Sequence, residues 1–224
     1  HFIPLGLSIA PTTGLTIADM ADDYASSFEK LFSLADYITL NVSCPNVANC
    51  EMFAQVSFIK ELTEKINNLK NKLNSKIDIL IKIGPDMTMD QYDEIVDICI
   101  QNNITAIISS NLIKNRSSIS PVSSVQELNH QGGISGKLVG DKNLEIIKHL
   151  YKRANGKVKI IGVGGIFSAD DAYEKIKAGA SALQLITGFI YGGPMIIRDI
   201  NIGLVKLLKK DGYKNIKEAV GKNA

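Results

Sequence analysis

The sequence predicts an α/β fold of the (β/α)8 TIM-barrel class, of which the chain covers about six strand-helix units. Two observations indicate a parallel sheet: short apolar runs rich in branched residues recur, and amphipathic stretches of helical period separate them. A third observation, the polar residues and glycines at the ends of these runs, favours a barrel over an open doubly wound sheet, which periodicity alone also permits.

The apolar runs are predicted to be buried strands. Their branched residues stand at consecutive positions rather than at alternate ones, which is typical of strands covered on both faces. The runs cover residues 3–9, 37–42, 77–83, 104–108, 158–163 and 182–186.

The stretches between these runs are predicted to be helices. One of them shows clear capping, because Ser168 precedes an acidic first turn and Gly179 follows a basic last turn. A further helix is expected to begin near Gly193, and residues 111–142 form a long active-site excursion. The predicted helices cover residues 19–34, 53–73, 89–102, 143–154 and 169–178.

Composition restricts the function. The 224 residues include 25 Lys and Arg against 23 Asp and Glu, for a net charge of +2, so we predict no nucleic-acid partner. The longest apolar stretch, residues 182–197, is too interrupted for a membrane helix. Cys44, Cys50 and Cys99 form no CxxC pair, so we predict no metal site. No linker composition divides residues 1–224, which we interpret as one domain.

Residues that could take part in binding or catalysis follow different predicted strands. Because the carboxyl ends of barrel strands meet at one mouth, we expect these residues to form one site. They are Ser8, Asn41, Lys82, Ser110, Gly164, Gly165 and Thr187.

The segment 41–46, Asn-Val-Ser-Cys-Pro-Asn, is the most informative motif. Its two amides provide donors and acceptors for a planar ligand, and Cys44 between them is a titratable group. The alternative interpretation is a turn with a buried structural cysteine. Lys82 likewise has the alternative of a lysine that extends to solvent at a barrel rim.

Segment 41–46 resembles the NxSxPN signature of the dihydroorotate dehydrogenases. Further motifs occur in that family's order, at residues 81–86, 109–111, 132–136, 161–166 and 178–181. Residues 211–221 resemble the end of the quinone-using, membrane-associated class. The resemblance implies an FMN-binding (β/α)8 barrel of which this chain supplies strands three to eight. The chain opens on His1 without an initiator Met, and we expect the first two strands to lie upstream.

The chemistry implied by the resemblance is oxidation of dihydroorotate to orotate. A base removes a proton from C5 while a hydride leaves C6 for N5 of FMN. Cys44 occupies the position of the base, where the quinone-using class usually has Ser and the soluble class has Cys. A thiol ionises far more readily than an alcohol near neutral pH, so Cys44 is chemically competent.

The family's site residues transfer to this sequence as follows. Cys44 and Lys82 are the catalytic candidates, with Lys82 beside the flavin edge where charge collects on reduction. The substrate-binding candidates are Asn41, Asn46, Asn111 and Leu112. Ser8, Leu112 and Ile186 differ from the residues usual in the family. The flavin-binding candidates are Ser8, Asn41, Lys82, Ser110, Gly136, Gly165, Ile186 and Thr187.

The resemblance also implies partners and a location. Quinone is the expected final electron acceptor, and the upstream region is expected to make peripheral contact with the inner or cell membrane. A protein that does not use quinone would be cytoplasmic. Residues 117–124 resemble the mobile lid of the family. Two alternatives stay open: another FMN-dependent enzyme that oxidises dihydropyrimidines, and an inactive barrel remnant with a structural role.

Overall fold

A parallel sheet forms the centre of the protein in the computed structural model, which describes residues 3–43, 56–115 and 132–224. Its six strands are hydrogen-bonded in the order in which they occur along the chain. A doubly wound sheet reverses its strand order at a switch point, so the sequential order confirms the barrel prediction. The strands are β1 (Gly6–Ile9), β2 (Tyr37–Asn41), β3 (Asp78–Ile83), β4 (Ala106–Ser109), β5 (Lys159–Val163) and β6 (Ala180–Gln184).

Helices connect consecutive strands, and neighbouring helices pack against each other along the outside of the sheet. Short 3-10 turns at Phe32–Leu34 and Lys137–Val139 extend two of the connections. None of the helices in the described part of the chain combines the length and the apolar composition of a membrane-spanning segment. The helices are α1 (Ile17–Leu31), α2 (Val56–Lys72), α3 (Met89–Gln101), α4 (Gly140–Ala154), α5 (Ala169–Lys177), α6 (Thr187–Gly192), α7 (Met195–Lys210) and α8 (Ile216–Ala219).

Alternate strand residues enter two different cores. Ile79, Ile81 and Ile83 of β3 belong to the large cluster between the sheet and the helices. Leu80, from the other face of the same strand, packs with Ile108 in a separate small cluster on the inner face of the sheet, away from the helices. Both faces of β3 are thus covered, which explains why its sequence is a continuous apolar run.

The inward-facing residues form layers across the sheet. Asn41 pairs in register with Lys82, Lys82 with Ile108, Ile108 with Ile161, and Ile161 with Ala182. This layer lies near the carboxyl ends of the strands, and polar groups enter it only from β2 and β3. The next layer toward the carboxyl ends contains residues that end the strands or follow them.

Two helices begin with side-chain caps, of which one was predicted from the sequence and the other was not. Ser168 accepts a hydrogen bond from the backbone N–H of Asp171 at 3.1 Å, as its sequence context predicts. Thr88 and Gln91 form a reciprocal capping box at the start of α3. These caps fix the directions in which the chain leaves β5 and β3.

Several elements differ from their predicted bounds, and β1 begins at Gly6, three residues after its predicted start. β6 spans Ala180–Gln184 rather than 182–186, because the positive φ of Gly179, +124°, reverses the chain after α5 and lets the strand begin at once. The six-residue helix α6 was not predicted, since two glycines and its short length leave no periodicity to detect. α4 begins at Gly140, three residues before its predicted start.

Candidate active site

The exits of β2 and β3 place Asn41 beside Lys82. Buried tyrosines from the helices secure both exits: the hydroxyl of Tyr24 donates to the carbonyl of Asn41 at 2.8 Å, and that of Tyr92 donates to the carbonyl of Gly84 at 3.0 Å. Burial raises the pKa of Tyr92, which keeps its proton on the hydroxyl as a donor. The backbone that carries Asn41 and Lys82 is therefore held from the helix side.

A cavity of about 90 Å³ opens at the carboxyl end of the sheet. Residues from β3, β5 and β6 line it, together with residues of the segments that follow β4, β5 and β6. It therefore brings together residues that are more than a hundred positions apart in sequence. The predicted site residues in its wall are Lys82, Ser110, Asn111, Leu112, Gly136, Gly165, Ile186 and Thr187.

A polar network connects the exits of β2 and β4 across β3. The side-chain amide of Asn111 donates to the carbonyl of Ser43 at 2.7 Å and to its hydroxyl at 3.1 Å. The Ser43 hydroxyl in turn donates to Oδ1 of Asn41 at 3.1 Å. Asn41 itself is not among the residues that line the cavity, and this network connects it to Asn111, which is.

The opposite end of the cavity is built from close backbone contacts. Gly165 adopts a φ of +71°, and a Cβ there would lie 2.5 Å from Cα of Gly140. The hydroxyls of Ser135 and Thr187 lie 3.0 Å apart. This end therefore offers hydroxyl groups and a tightly packed glycine backbone, a composition suited to an anionic oxygen group.

Three further predicted residues occupy less polar or more distant positions. Ile186 lies at the cavity rim and is 62% exposed. Leu112 also lines the cavity and packs over Gly133. Ser8 pairs in register with Thr39, one layer below Asn41, and is not among the residues that line the cavity.

Asp86 fixes the start of the long excursion after β4. Its carboxylate forms an ion pair with Lys142 at 3.0 Å and accepts the backbone N–H of Lys114 at 2.8 Å. Ile113 and Ile134 form an antiparallel bridge that brings the two described ends of the excursion together. The chain on either side of Asn111 is therefore anchored.

The motif residues Cys44 and Asn46 lie outside the described residues, as do residues 117–124. Their site assignments therefore stay predictions. The described thiol, Cys99, lies on the buried face of α3, where burial raises its pKa. Cys99 is thus a structural residue and no alternative base.

The sequence analysis missed four polar residues in or behind this site. Ser43 and Ser135, the second of which lines the cavity, were each passed over inside a motif that contains them. Gln184 lines the cavity at the end of β6, and a polar residue that ends an apolar strand was a usable signal. Asn143 lies in α4 behind the cavity and is fully buried, and nothing in the sequence marks it.

Comparisons with known proteins identify the family to which the chain is similar. The profile of the dihydroorotate dehydrogenase family matches residues 2–208. Two similar proteins are the dihydroorotate dehydrogenases (quinone) of Gloeobacter violaceus and Synechocystis sp., each 35% identical and each matched over 98% of this chain. The chain spans 60% and 58% of the lengths of these two relatives.

Solved structures give the same result. The structure of DHODH from Eimeria tenella in complex with ferulenol matches 96% of this chain and 61% of its own, with a TM-score of 0.87 and 25% identity. The ligand-free form from the same organism matches 91% of this chain and 60% of its own, with a TM-score of 0.83 and 26% identity. Each match thus covers more than nine tenths of this chain and about three fifths of the solved chain.

Proposed function

Because the chain belongs to the dihydroorotate dehydrogenase family, we propose that the full-length protein oxidises dihydroorotate to orotate in pyrimidine biosynthesis, with FMN as the hydride acceptor and a quinone as the final electron acceptor. The family is flavin-dependent. The quinone assignment is supported by the names of the two relatives described above, each of which is a dihydroorotate dehydrogenase (quinone). The proposal concerns the whole protein, since this chain spans about three fifths of the relatives.

One observation carries the proposal. Lys82, Ser110 and Thr187, from the ends of three different strands, line a single cavity between the Asn41–Ser43–Asn111 network and the glycine-rich end. This cavity combines a cation and amides at one end with hydroxyls and backbone at the other. A flavin mononucleotide has the matching order of groups: a polar ring edge, a polyol chain and a phosphate.

The residues present fit the phosphate. Gly165 and Gly136 both adopt positive φ angles, +71° and +83°, and a Cβ on Gly136 would lie 3.3 Å from the Thr187 methyl group. A Cβ at Gly165 would collide with Cα of Gly140, and one at Gly136 would crowd Thr187, so glycine keeps this backbone and the Thr187 side chain in place. The hydroxyls of Thr187 and Ser135 supply hydrogen bonds there.

The residues present also fit the ring. Lys82 supplies a positive charge from the inward face of β3, and Ser110 supplies a hydroxyl from the adjacent strand exit. When bound, FMN supplies an electrophilic nitrogen that accepts a hydride. Lys82 lowers the energy of the negative charge that collects at the pyrimidine edge of the ring on reduction.

The protein's own groups account for the remaining steps. The amides of Asn41, Asn46 and Asn111 bind the carbonyl and N–H edges of the pyrimidine. Cys44, as a thiolate, removes the proton from C5 and becomes a neutral thiol. The C6 hydrogen leaves with two electrons, so that a C5–C6 double bond forms and charge is balanced. The substrate thus loses one electron pair, which leaves with the hydride.

A flavin assay of the full-length protein tests the cofactor and the substrate. We expect the purified protein to be yellow, to release FMN on denaturation, and to lose its flavin absorbance when dihydroorotate is added without oxygen. Dihydrouracil is the control substrate. Bleaching by dihydrouracil alone would instead support the broader dihydropyrimidine-oxidising alternative, and a colourless protein that does not bind added FMN would support the inactive remnant.

A second assay tests the electron acceptor. The protein bleached by dihydroorotate is mixed with a ubiquinone analogue, with fumarate or with NAD. We expect the flavin absorbance to return fastest with the ubiquinone analogue. Faster return with fumarate would contradict the quinone assignment, and it would make Cys44 the better indicator of class than the carboxyl-terminal segment.

A further inference from the structure

A buried asparagine lies behind the cavity wall. Asn143, in the first turn and a half of α4, has an exposed fraction of 0%. Its Nδ2 group donates to the carbonyl of Val163 at 2.7 Å, and its Oδ1 accepts from the hydroxyl of Ser110 at 2.6 Å. Asn143 therefore joins the exits of β4 and β5 from the helix side.

The direction of these hydrogen bonds follows from the chemistry of the partners. The carbonyl of Val163 only accepts, so the end of the Asn143 amide that faces it is the NH2 group. The other end is the carbonyl oxygen, which only accepts as well, so the hydroxyl of Ser110 must donate to it. The backbone carbonyl of Asn111, 3.4 Å from the Ser110 hydroxyl, is a second acceptor. A hydrogen bond to it would use the same single hydroxyl proton of Ser110.

The consequence for Ser110 is a fixed polarity. A serine hydroxyl has one proton and two lone pairs, and the proton is committed to the protein. Ser110 also lines the cavity. Its oxygen therefore offers a ligand only lone pairs, whereas Lys82 on the neighbouring strand offers only donors.

The fold makes room for this arrangement at Gly164. A Cβ at Gly164 would lie 2.4 Å from Nδ2 of Asn143, and the residue has a φ of +89°. Glycine at this position is thus needed for Asn143 to reach the Val163 carbonyl. The asparagine and the glycine form one packing unit behind the cavity.

We propose that Asn143 is a positioning residue that presents the oxygen of Ser110 to the cavity as a hydrogen-bond acceptor, so that Ser110 selects a donor group of the ligand. This inference rests on the proposed flavin site. Oxidised FMN has two kinds of donor: the imide N–H of the ring and the hydroxyls of the ribityl chain. Either would meet the acceptor that Ser110 provides.

A double-variant cycle in the full-length protein tests the role of Asn143. The dissociation constant of FMN is measured for wild type, Asn143→Leu, Ser110→Ala and the double variant. We expect each single variant to weaken FMN binding about five- to tenfold, the size of one hydrogen bond. The double variant should bind about as weakly as Ser110→Ala alone, because Asn143 acts through Ser110.

Multiplied effects, roughly 25- to 100-fold in the double variant, would overturn the proposal. Asn143→Asp is the conservative variant and guards against misfolding of Asn143→Leu. A buried carboxyl is protonated, so it donates to Val163 and still accepts from Ser110. It should retain about the wild-type affinity, and a loss as large as that of the leucine variant would also overturn the proposal.

Asn102→Leu is the matched control. Asn102 is a second buried asparagine, whose Nδ2 donates to the carbonyl of Ile98 at 3.1 Å far from the cavity. Its replacement should lower the melting temperature of the apoprotein without changing the FMN dissociation constant. Equal weakening of FMN binding by Asn102→Leu and Asn143→Leu would reduce Asn143 to a general stability residue.

Two FMN analogues identify the donor. One carries a methyl group on the imide nitrogen, and the other lacks the 2′-hydroxyl of the ribityl chain. Ser110→Ala should weaken the binding of FMN and of the analogue that keeps the donor group bound by Ser110. It should not change the binding of the analogue that lacks this donor group. If Ser110→Ala weakens FMN and both analogues equally, Ser110 accepts from neither group and the inference fails. A wild-type protein that binds no FMN would instead contradict the proposed function.

Discussion

The side-chain amide of Asn111 donates a hydrogen bond to the backbone carbonyl of Ser43 at 2.7 Å, across 68 positions of the chain. This contact joins the exit of β4 to the residue that precedes Cys44 in the sequence. The proposed substrate amide and the proposed base thus belong to segments that are hydrogen-bonded to each other.

Replacement of Asn111 tests this connection. Asn111→Ala should weaken the binding of orotate about tenfold, because it removes both a substrate contact and the bond to Ser43. Ser43→Ala keeps the carbonyl that accepts the 2.7 Å bond and removes the two hydroxyl contacts, with Nδ2 of Asn111 and with Oδ1 of Asn41. Its effect should be smaller, because Asn111 stays in place as a substrate contact. Titration of the flavin spectrum with orotate measures both. A larger effect of Ser43→Ala would contradict the role of the carbonyl bond.

Cys44 is predicted to be the general base. Cys44→Ala should slow flavin reduction by dihydroorotate by roughly 10²–10⁴-fold, the usual scale of base catalysis. Cys44→Ser should retain part of the activity with an optimum at higher pH, because an alcohol is a weaker acid than a thiol. Rapid mixing without oxygen measures the rate. Cys50→Ala, which removes another thiol nearby in sequence, is the control, and reduction of Cys44→Ala at the wild-type rate would refute the assignment.

Lys82 is predicted to act on the reduced state. Lys82→Ala should lower the flavin reduction rate at saturating dihydroorotate more than it raises the substrate dissociation constant, since the charge it stabilises develops during the reaction. Lys76→Ala, at an exposed position before β3, is the control. An unchanged reduction rate together with weaker dihydroorotate binding would show instead that Lys82 acts by binding the substrate.

Gly165 is predicted to be intolerant of a side chain. Gly165→Ala should destabilise the protein by about 1–2 kcal/mol through its positive φ and by a further ~1–3 kcal/mol through the contact with Gly140. It should also weaken FMN binding. Gly156→Ala is the matched control, because Gly156 has a similar φ of +77° and open space around it. Urea unfolding and FMN titration distinguish the two, and equal effects would show that the Gly140 contact is unimportant.

Lys175 predicts a pH dependence of stability. Its side chain is 3% exposed and donates to the carbonyl of Gly140 at 3.2 Å, and burial lowers its pKa to about 8 against the attraction of Asp171 and Asp141. Between pH ~8 and ~10.5 the unfolded chain therefore binds more protons than the folded one, so the contribution of Lys175 to stability rises with pH.

The variant Lys175→Met lacks this contribution. The free energy of unfolding of the wild type relative to Lys175→Met should therefore increase by about 3 kcal/mol as the pH is raised from below 8 to 10.5. Urea unfolding of both proteins over this range measures the difference. A difference that is independent of pH would mean that Lys175 titrates at the same pH in the folded and unfolded states.

Local pattern was sufficient for most of the fold. The strand β3 was predicted within one residue, because both of its faces are buried and its run is apolar throughout. The helix α5 was predicted from its caps, which are local hydrogen bonds between neighbours in sequence. Elements without such local signals, such as the six-residue α6, were missed.

The sequence by itself determined the succession of strands and helices and the residues at the strand ends, since both are properties of short segments. Only the tertiary structure decided which of these residues meet. Ser110 and Asn143 are 33 positions apart, and their contact exists because β4 and α4 pack together. No sequence motif predicts a contact at this separation, and the residues around a buried asparagine do not distinguish it from an exposed one. The polarity of the Ser110 hydroxyl, and with it the kind of ligand group the site accepts, follows from packing.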